Sequence, residues 1–186
     1  MRDRLDRYYT PAFAVDELLK NVPELSGKRL FDPCSGDGTM ADRVGARFST
    51  VYTNDIDPDS PASTHLDLRR RAMWETIRPT WTVTNPPFCL LAEVLRLALD
   101  YSQGVALLLR LSAIEVCKGR EFLSLHSPAK QIVLPRIRFR GRGTDSVTTC
   151  WFLWPPVGQT LSGAPIVCVP KTLKTCSGLA RKEAAL

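Results

Sequence analysis

Apolar residues along the chain recur in two rhythms. Short runs that are apolar or alternating predict strands at Arg29 to Asp32, Thr50 to Asn54, His65 to Leu68, Trp81 to Val83, Ile132 to Leu134 and Val147 to Leu153. Gly104 to Leu109 is apolar throughout and predicts a buried central strand. Between the strands the spacing turns helical. Ala12 to Asn21 carries Phe13, Leu18 and Leu19, and Leu90 to Tyr101 carries Leu91, Val94, Leu95, Ala98 and Leu99. Thr39 to Phe48 and Gly119 to Leu125 read as further helices, and Thr10 with Pro11 reads as the cap and first turn of the first one. Strands alternating with helices predict an α/β fold whose mostly parallel sheet of seven strands is covered on both faces, with ligands at the carboxyl ends of the strands. The stretch from Leu161 to Leu186 reads as a tail with one apolar run, Ile166 to Val169, and a small, charged end.

With 186 residues, 44% hydrophobic and 24% charged, the chain has the size and composition of one globular domain. We place that domain at residues 1–158 and the tail at 159–186, with no separate further domain after Trp154. No apolar run approaches the roughly 18 residues of a membrane helix. The start, Met1-Arg2-Asp3-Arg4, runs into charge rather than a signal core. Six cysteines without a Cys-x-x-Cys pair, and two histidines, predict reduced thiols in a cytoplasmic protein with no metal site.

Charge adds a partner. The net charge is +6, and between Cys117 and Gly143 the basic residues Lys118, Arg120, Lys130, Arg136, Arg138, Arg140 and Arg142 face only Glu121. That excess predicts a polyanion, and on a strand the four arginines spaced two apart would share one side.

The densest chemistry lies in Thr84-Asn85-Pro86-Pro87-Phe88. Two prolines fix φ and remove two donors, leaving the carbonyls of Asn85 and Pro86 as outward acceptors. The Asn85 side chain adds another acceptor, and Phe88 adds a flat face. Such a site suits a planar group bearing NH2. A plain turn closing a strand, with Phe88 as core, would use the same residues. Upstream, Leu30-Phe31-Asp32-Pro33-Cys34-Ser35-Gly36-Asp37-Gly38 is a glycine-rich turn after a strand and before a helix. Asp55, in Asn54-Asp55-Ile56-Asp57, follows it by about 20 positions, the separation of a carboxylate that grips ribose hydroxyls, with Asp57 as the competing carboxylate.

Together these motifs resemble the class I S-adenosylmethionine-dependent methyltransferases that alkylate exocyclic amines, in the part order of gamma-type DNA N6-adenine enzymes. The stretch from Arg110-Leu111-Ser112 to Trp151-Phe152-Leu153-Trp154 is similar to small phage and prophage adenine-methyltransferase-like proteins. The resemblance spans about residues 8 to 155 and implies a Rossmann-like fold with its last strand antiparallel. It implies S-adenosyl-L-methionine as cofactor, with Tyr9 and Thr10 by its methionine end and Asp32 by its ammonium. Cys34, Gly36 and Gly38 would line the loop that holds methionine and ribose, Ile56 would pack on the adenine, and Asp67 would meet the adenine amine. Asn85, Pro86, Pro87 and Phe88 would be catalytic and Asn85 would also touch the cofactor. Arg110, Lys118, Arg120 and the arginines at 136, 138, 140 and 142 would contact nucleic acid, DNA before RNA. The expected assembly is a monomer or homodimer. Relatives with this motif also modify adenine in RNA and a glutamine amide in protein, and a non-catalytic nucleic-acid-binding protein of this fold is the alternative from another class.

Overall fold

The computed structural model describes residues 9–112, 126–136 and 148–170. The expected helix at Gly119 to Leu125, the charged end of the tail, and Lys118, Arg120, Arg138, Arg140 and Arg142 lie outside them.

Seven strands form one sheet among these residues: β1 (Gly27–Asp32), β2 (Phe48–Thr53), β3 (Trp81–Thr84), β4 (Gly104–Arg110), β5 (Lys130–Val133), β6 (Thr149–Trp154) and β7 (Ile166–Cys168), in the order β2-β1-β3-β4-β6-β5-β7. β2, β1, β3 and β4 run parallel, and β7 runs parallel to β5. β6 is antiparallel to both its neighbours. The mostly parallel Rossmann-like sheet is as expected, but the reversed strand is β6 rather than the last one, because β7 follows it and runs parallel to β5.

The described residues hold four helices: α1 (Ala12–Asn21) precedes β1, and α2 (Thr39–Gly45), α3 (Arg71–Ile77) and α4 (Leu91–Tyr101) connect the parallel strands, the last preceded by a 3-10 turn at Phe88–Leu90. Because strand side chains alternate faces, each central strand feeds two cores. Ala106 and Leu108 of β4, with Trp151 and Leu153 of β6, pack under α1 and α2. Val105, Leu107 and Leu109, with Phe152 and Trp154, pack under α3 and α4. There Phe31 meets Trp74 edge to face at 4.9 Å, a favoured aromatic geometry. Gly104 has no substitute, because a Cβ there would lie 2.8 Å from the Trp81 ring and from Pro156.

Three expectations change. His65 to Leu68 is not a strand; only an isolated bridge joins Thr64 to Asn54. The reason is the buried Asn54 side chain. Its Oδ1 accepts from the Leu66 amide and the Thr64 hydroxyl, and its Nδ2 donates to the carbonyls of Leu66 and Pro33. One side chain thus satisfies backbone groups that a ladder would have used. The seventh strand comes instead from the apolar run in the tail, as Ile166–Cys168 at the far edge. The second helix stops at Gly45 rather than Phe48, since Phe48 opens β2.

α1 is fastened at several points. The Trp151 indole donates to Ala14 O at 2.8 Å. The Arg47 guanidinium donates to Leu19 O and Val22 O, and the buried Lys130 ammonium donates to Asn21 O and Ser162 O. Two cations therefore satisfy carbonyls that the helix end leaves without partners, where they also suit its dipole. Lys130→Met keeps the stem and strands two carbonyls, so stability should fall by about 1–3 kcal/mol. A urea titration checks this as a lower midpoint at unchanged slope.

Candidate active site

The parallel strands bring their carboxyl ends to one edge. β1 ends at Asp32, β2 leads into Asn54 and Asp55, and β3 leads into Asn85. β2 and β3 flank β1 on opposite sides, so the crevice at their ends is where such sheets take ligands. A cavity of about 420 Å³ opens there, within the range of small-molecule sites. Tyr9, Thr10, Asp32, Cys34, Gly36, Asp55, Ile56, Asp67, Asn85 and Pro87 all line it. Gly38, Pro86 and Phe88 do not. Gly38 sits at φ 84° and turns the chain into α2, while Pro86 is buried.

Asp32 is the most constrained group. It is 1% exposed. Its Oδ1 accepts from the Cys34 amide at 3.2 Å, while Oδ2 has no hydrogen-bond partner. Burial pushes its pKa up to about 7, against the smaller opposing effects of the nearby Thr84 hydroxyl and the Cys34 amide. Thr84 is close enough to act on the charge, yet its Oγ1 makes no hydrogen bond of good geometry. Ser35 Oγ is likewise buried without a partner on the cavity wall. Buried polar atoms left unmatched on a cavity surface call for a polar or charged guest. Burial and then the carboxylates of Asp32 and Asp55 raise the Cys34 thiol well above the usual range, which disfavours its thiolate.

Asp55 clamps the site. Its Oδ2 accepts from the Gly36 amide at 2.8 Å and its Oδ1 from the Asp57 amide at 2.9 Å. Each oxygen keeps a further lone pair for a hydroxyl. Asp57 is buried, and its Oδ1 accepts from the Asp59 amide. Tyr9 and Ile56 are large and apolar yet 50% and 56% exposed, and both line the cavity. They offer flat or greasy walls without protein cover. The Tyr9 ring lies over the glycine loop, where a Cβ on Gly36 would come within 3.1 Å of it.

The amides at the start of α2 are partly taken. Thr39 N donates to Asp37 Oδ1, and Gly38 N donates to Ser35 O. Asp67 is committed to Arg69, which donates to it from both its backbone and its guanidinium and holds the carboxyl down to about 2. Asp67 therefore stays ionised on the cavity wall, in the turn that precedes α3. Thr10 does not cap α1 either. Its buried hydroxyl accepts from the Asn85 side-chain amide at 3.1 Å, a contact that sequence reasoning missed.

Just outside the cavity, the Arg110 guanidinium lies 4.2 Å over the Phe88 ring, within cation–π range. β4 ends at Arg110, beside the end of β3, which explains the pairing. Arg136 is exposed beyond β5. Among the described residues no cluster of three or more His, Cys, Asp or Glu side chains could hold a metal ion, and no helix is long and apolar enough to cross a membrane.

No protein-family model and no curated protein matches the chain. Solved structures do. A protein from Pyrococcus horikoshii, provisionally described as an RNA methyltransferase, aligns with a TM-score of 0.63 at 16% identity over 82% of this chain and 89% of that one. A Listeria monocytogenes protein, provisionally described as a class I S-adenosylmethionine-dependent methyltransferase, aligns at 0.59 and 11% over 86% and 64%. The M protein of the type I restriction enzyme EcoKI aligns at 0.60 and 13% over 81% and 44%. These likenesses establish the fold.

Asp32 separates stability from binding. Its folded pKa lies above the ordinary 3.8, so between pH 4 and 7 the folded state binds the extra proton, and stability falls as pH rises. The slope is at most about 1.4 kcal/mol per unit. Asp32→Asn should flatten that decline and leave the free protein at least as stable at pH 8. On the cofactor assignment proposed below, the same variant should bind S-adenosylhomocysteine more weakly by about tenfold or more. Thermal melts across pH and calorimetry check the two halves.

Proposed function

We propose that this protein transfers a methyl group from S-adenosyl-L-methionine to the exocyclic N6 amine of adenine in DNA. The observation that carries this reading is the unpartnered oxygen of buried Asp32 sharing one cavity with the Asn85 and Pro87 wall.

When bound, the cofactor supplies an electrophilic methyl on a sulfonium. The residues present fit it. Asp32 accepts from its ammonium and Ser35 offers a hydroxyl. Asp55 accepts from the ribose hydroxyls while bracing the glycine loop, and Ile56 and Tyr9 give apolar cover. Asp67 faces the adenine amine as an ionised acceptor.

Asn85 Oδ1, on the cavity wall, accepts one N–H of the target amine, and the carbonyl of Pro86, which stands between the lining residues Asn85 and Pro87 without itself lining the cavity, accepts the other when the base is bound. An exocyclic aromatic amine is a weak nucleophile because its lone pair is delocalised into the ring. Two acceptors favour a pyramidal nitrogen and aim the lone pair at the methyl. Phe88, just outside the cavity with Arg110 over its ring, stacks on a base that reaches in from the mouth, and the rate comes from positioning and electrostatics. A base in duplex must leave the stack first, at a cost of a few kcal/mol.

Arg110 and Arg136, with the basic residues at 118, 120, 138, 140 and 142, track the phosphate backbone. That basic excess favours nucleic acid over a protein amide. The EcoKI M protein among the structural neighbours is in keeping with DNA. RNA adenine is the second reading, favoured by the provisional description of the Pyrococcus protein.

Asn85→Ala should lose methyl transfer to adenine oligonucleotides by about a hundredfold or more while S-adenosylhomocysteine affinity stays near wild type. Tritiated methyl incorporation and calorimetry measure the two. Retained turnover in that variant would remove Asn85 from the chemistry. Arg136→Gln should lower the log-log salt slope of DNA binding by about one unit or less, seen by fluorescence anisotropy, without changing sequence preference.

A further inference from the structure

We infer that Thr10 is the positioning residue of the catalytic asparagine: its hydroxyl holds the Asn85 amide so that Oδ1 faces the target amine. The inference rests on the reading of Asn85 given above, and it gives the Thr10 hydroxyl this task in place of the cofactor contact expected from the sequence.

The contact joins positions 75 residues apart, Nδ2 of Asn85 donating to Oγ1 of Thr10 at 3.1 Å. Both residues precede a proline, Pro11 and Pro86, and a residue before proline is confined to extended backbone. Thr10 is also β-branched, so few side-chain rotamers remain. It is buried to 7% exposure. Behind it, α1 is held by the Trp151 indole and by Arg47 and Lys130 at its other end. The hydroxyl is therefore fixed from the backbone outward, without help from a ligand.

An asparagine amide has two unlike ends, an acceptor oxygen and a donor NH2. A target amine brings two N–H groups and needs the oxygen. With the amide turned over, NH2 would confront NH2 and the site would lose its acceptor. Burying Nδ2 against Thr10 selects the orientation that an amine substrate requires. A hydrogen bond of this kind is worth about a factor of ten in rate when it acts only through orientation.

Thr10→Val removes the hydroxyl at nearly constant shape, and Thr10→Ser restores it. In single-turnover transfer to an adenine oligonucleotide, Thr10→Val should be slower by about tenfold, with S-adenosylhomocysteine affinity within about twofold of wild type. Thr10→Ser should recover most of the rate. In an Asn85→Ala background, Thr10→Val should cost nothing further. The Asn85 side-chain NH2 resonances should shift in Thr10→Val and return in Thr10→Ser. An affinity loss in Thr10→Val as large as its rate loss would overturn the inference and make Thr10 a cofactor contact. An equal loss in both backgrounds, or unmoved Asn85 resonances, would also overturn it. If wild type methylates no amine, the proposed function fails, and the resonances alone still decide whether Thr10 holds Asn85.

Discussion

Four strands running in one direction, with β3 and β4 buried on both faces, constrain everything else in this molecule. Their shared direction brings Asp32, Asp55, Asn85 and Arg110 to one edge, although these residues are scattered over the first 110 positions. Apolar alternation on both faces holds the register, since a one-residue slip would exchange the two cores. At that edge a backbone leaving its strand has no ladder partner, so side chains take over. Asn54, Asp55 and Thr10 each spend hydrogen bonds on shaping the cavity, and Asp32 keeps one oxygen without a partner inside it.

Much of this was legible in the sequence because it is local. Unbroken apolar runs mark β3 and β4, helical spacing marks α1 and α4, and Asp32, Asp55 and Asn85 stand where those runs stop. The failures were non-local. His65 to Leu68 has the composition of a strand, but the Asn54 side chain, more than ten residues earlier, takes its backbone groups. Ile166–Cys168 looks like part of a tail until β5 offers it an edge. No spacing rule links Thr10 to Asn85, and nothing in the sequence says that Arg110 would lie against Phe88.

The site also shows how stability and function pull apart. A buried carboxylate with an unmatched oxygen and a pKa near 7 weakens the free protein at neutral pH. A cationic partner would convert that cost into affinity, because the low dielectric that penalises a lone charge strengthens a pair. Asp67 is the opposite case. Arg69 already neutralises it, so a ligand gains less there.

Nucleosides from the DNA and RNA of cells producing the protein, resolved by mass spectrometry, test the central claim most directly. Cells with wild type should contain N6-methyldeoxyadenosine well above the level in cells with Asn85→Ala. Equal levels in the two, or a methyl-adenosine difference confined to RNA, would contradict DNA adenine as the substrate.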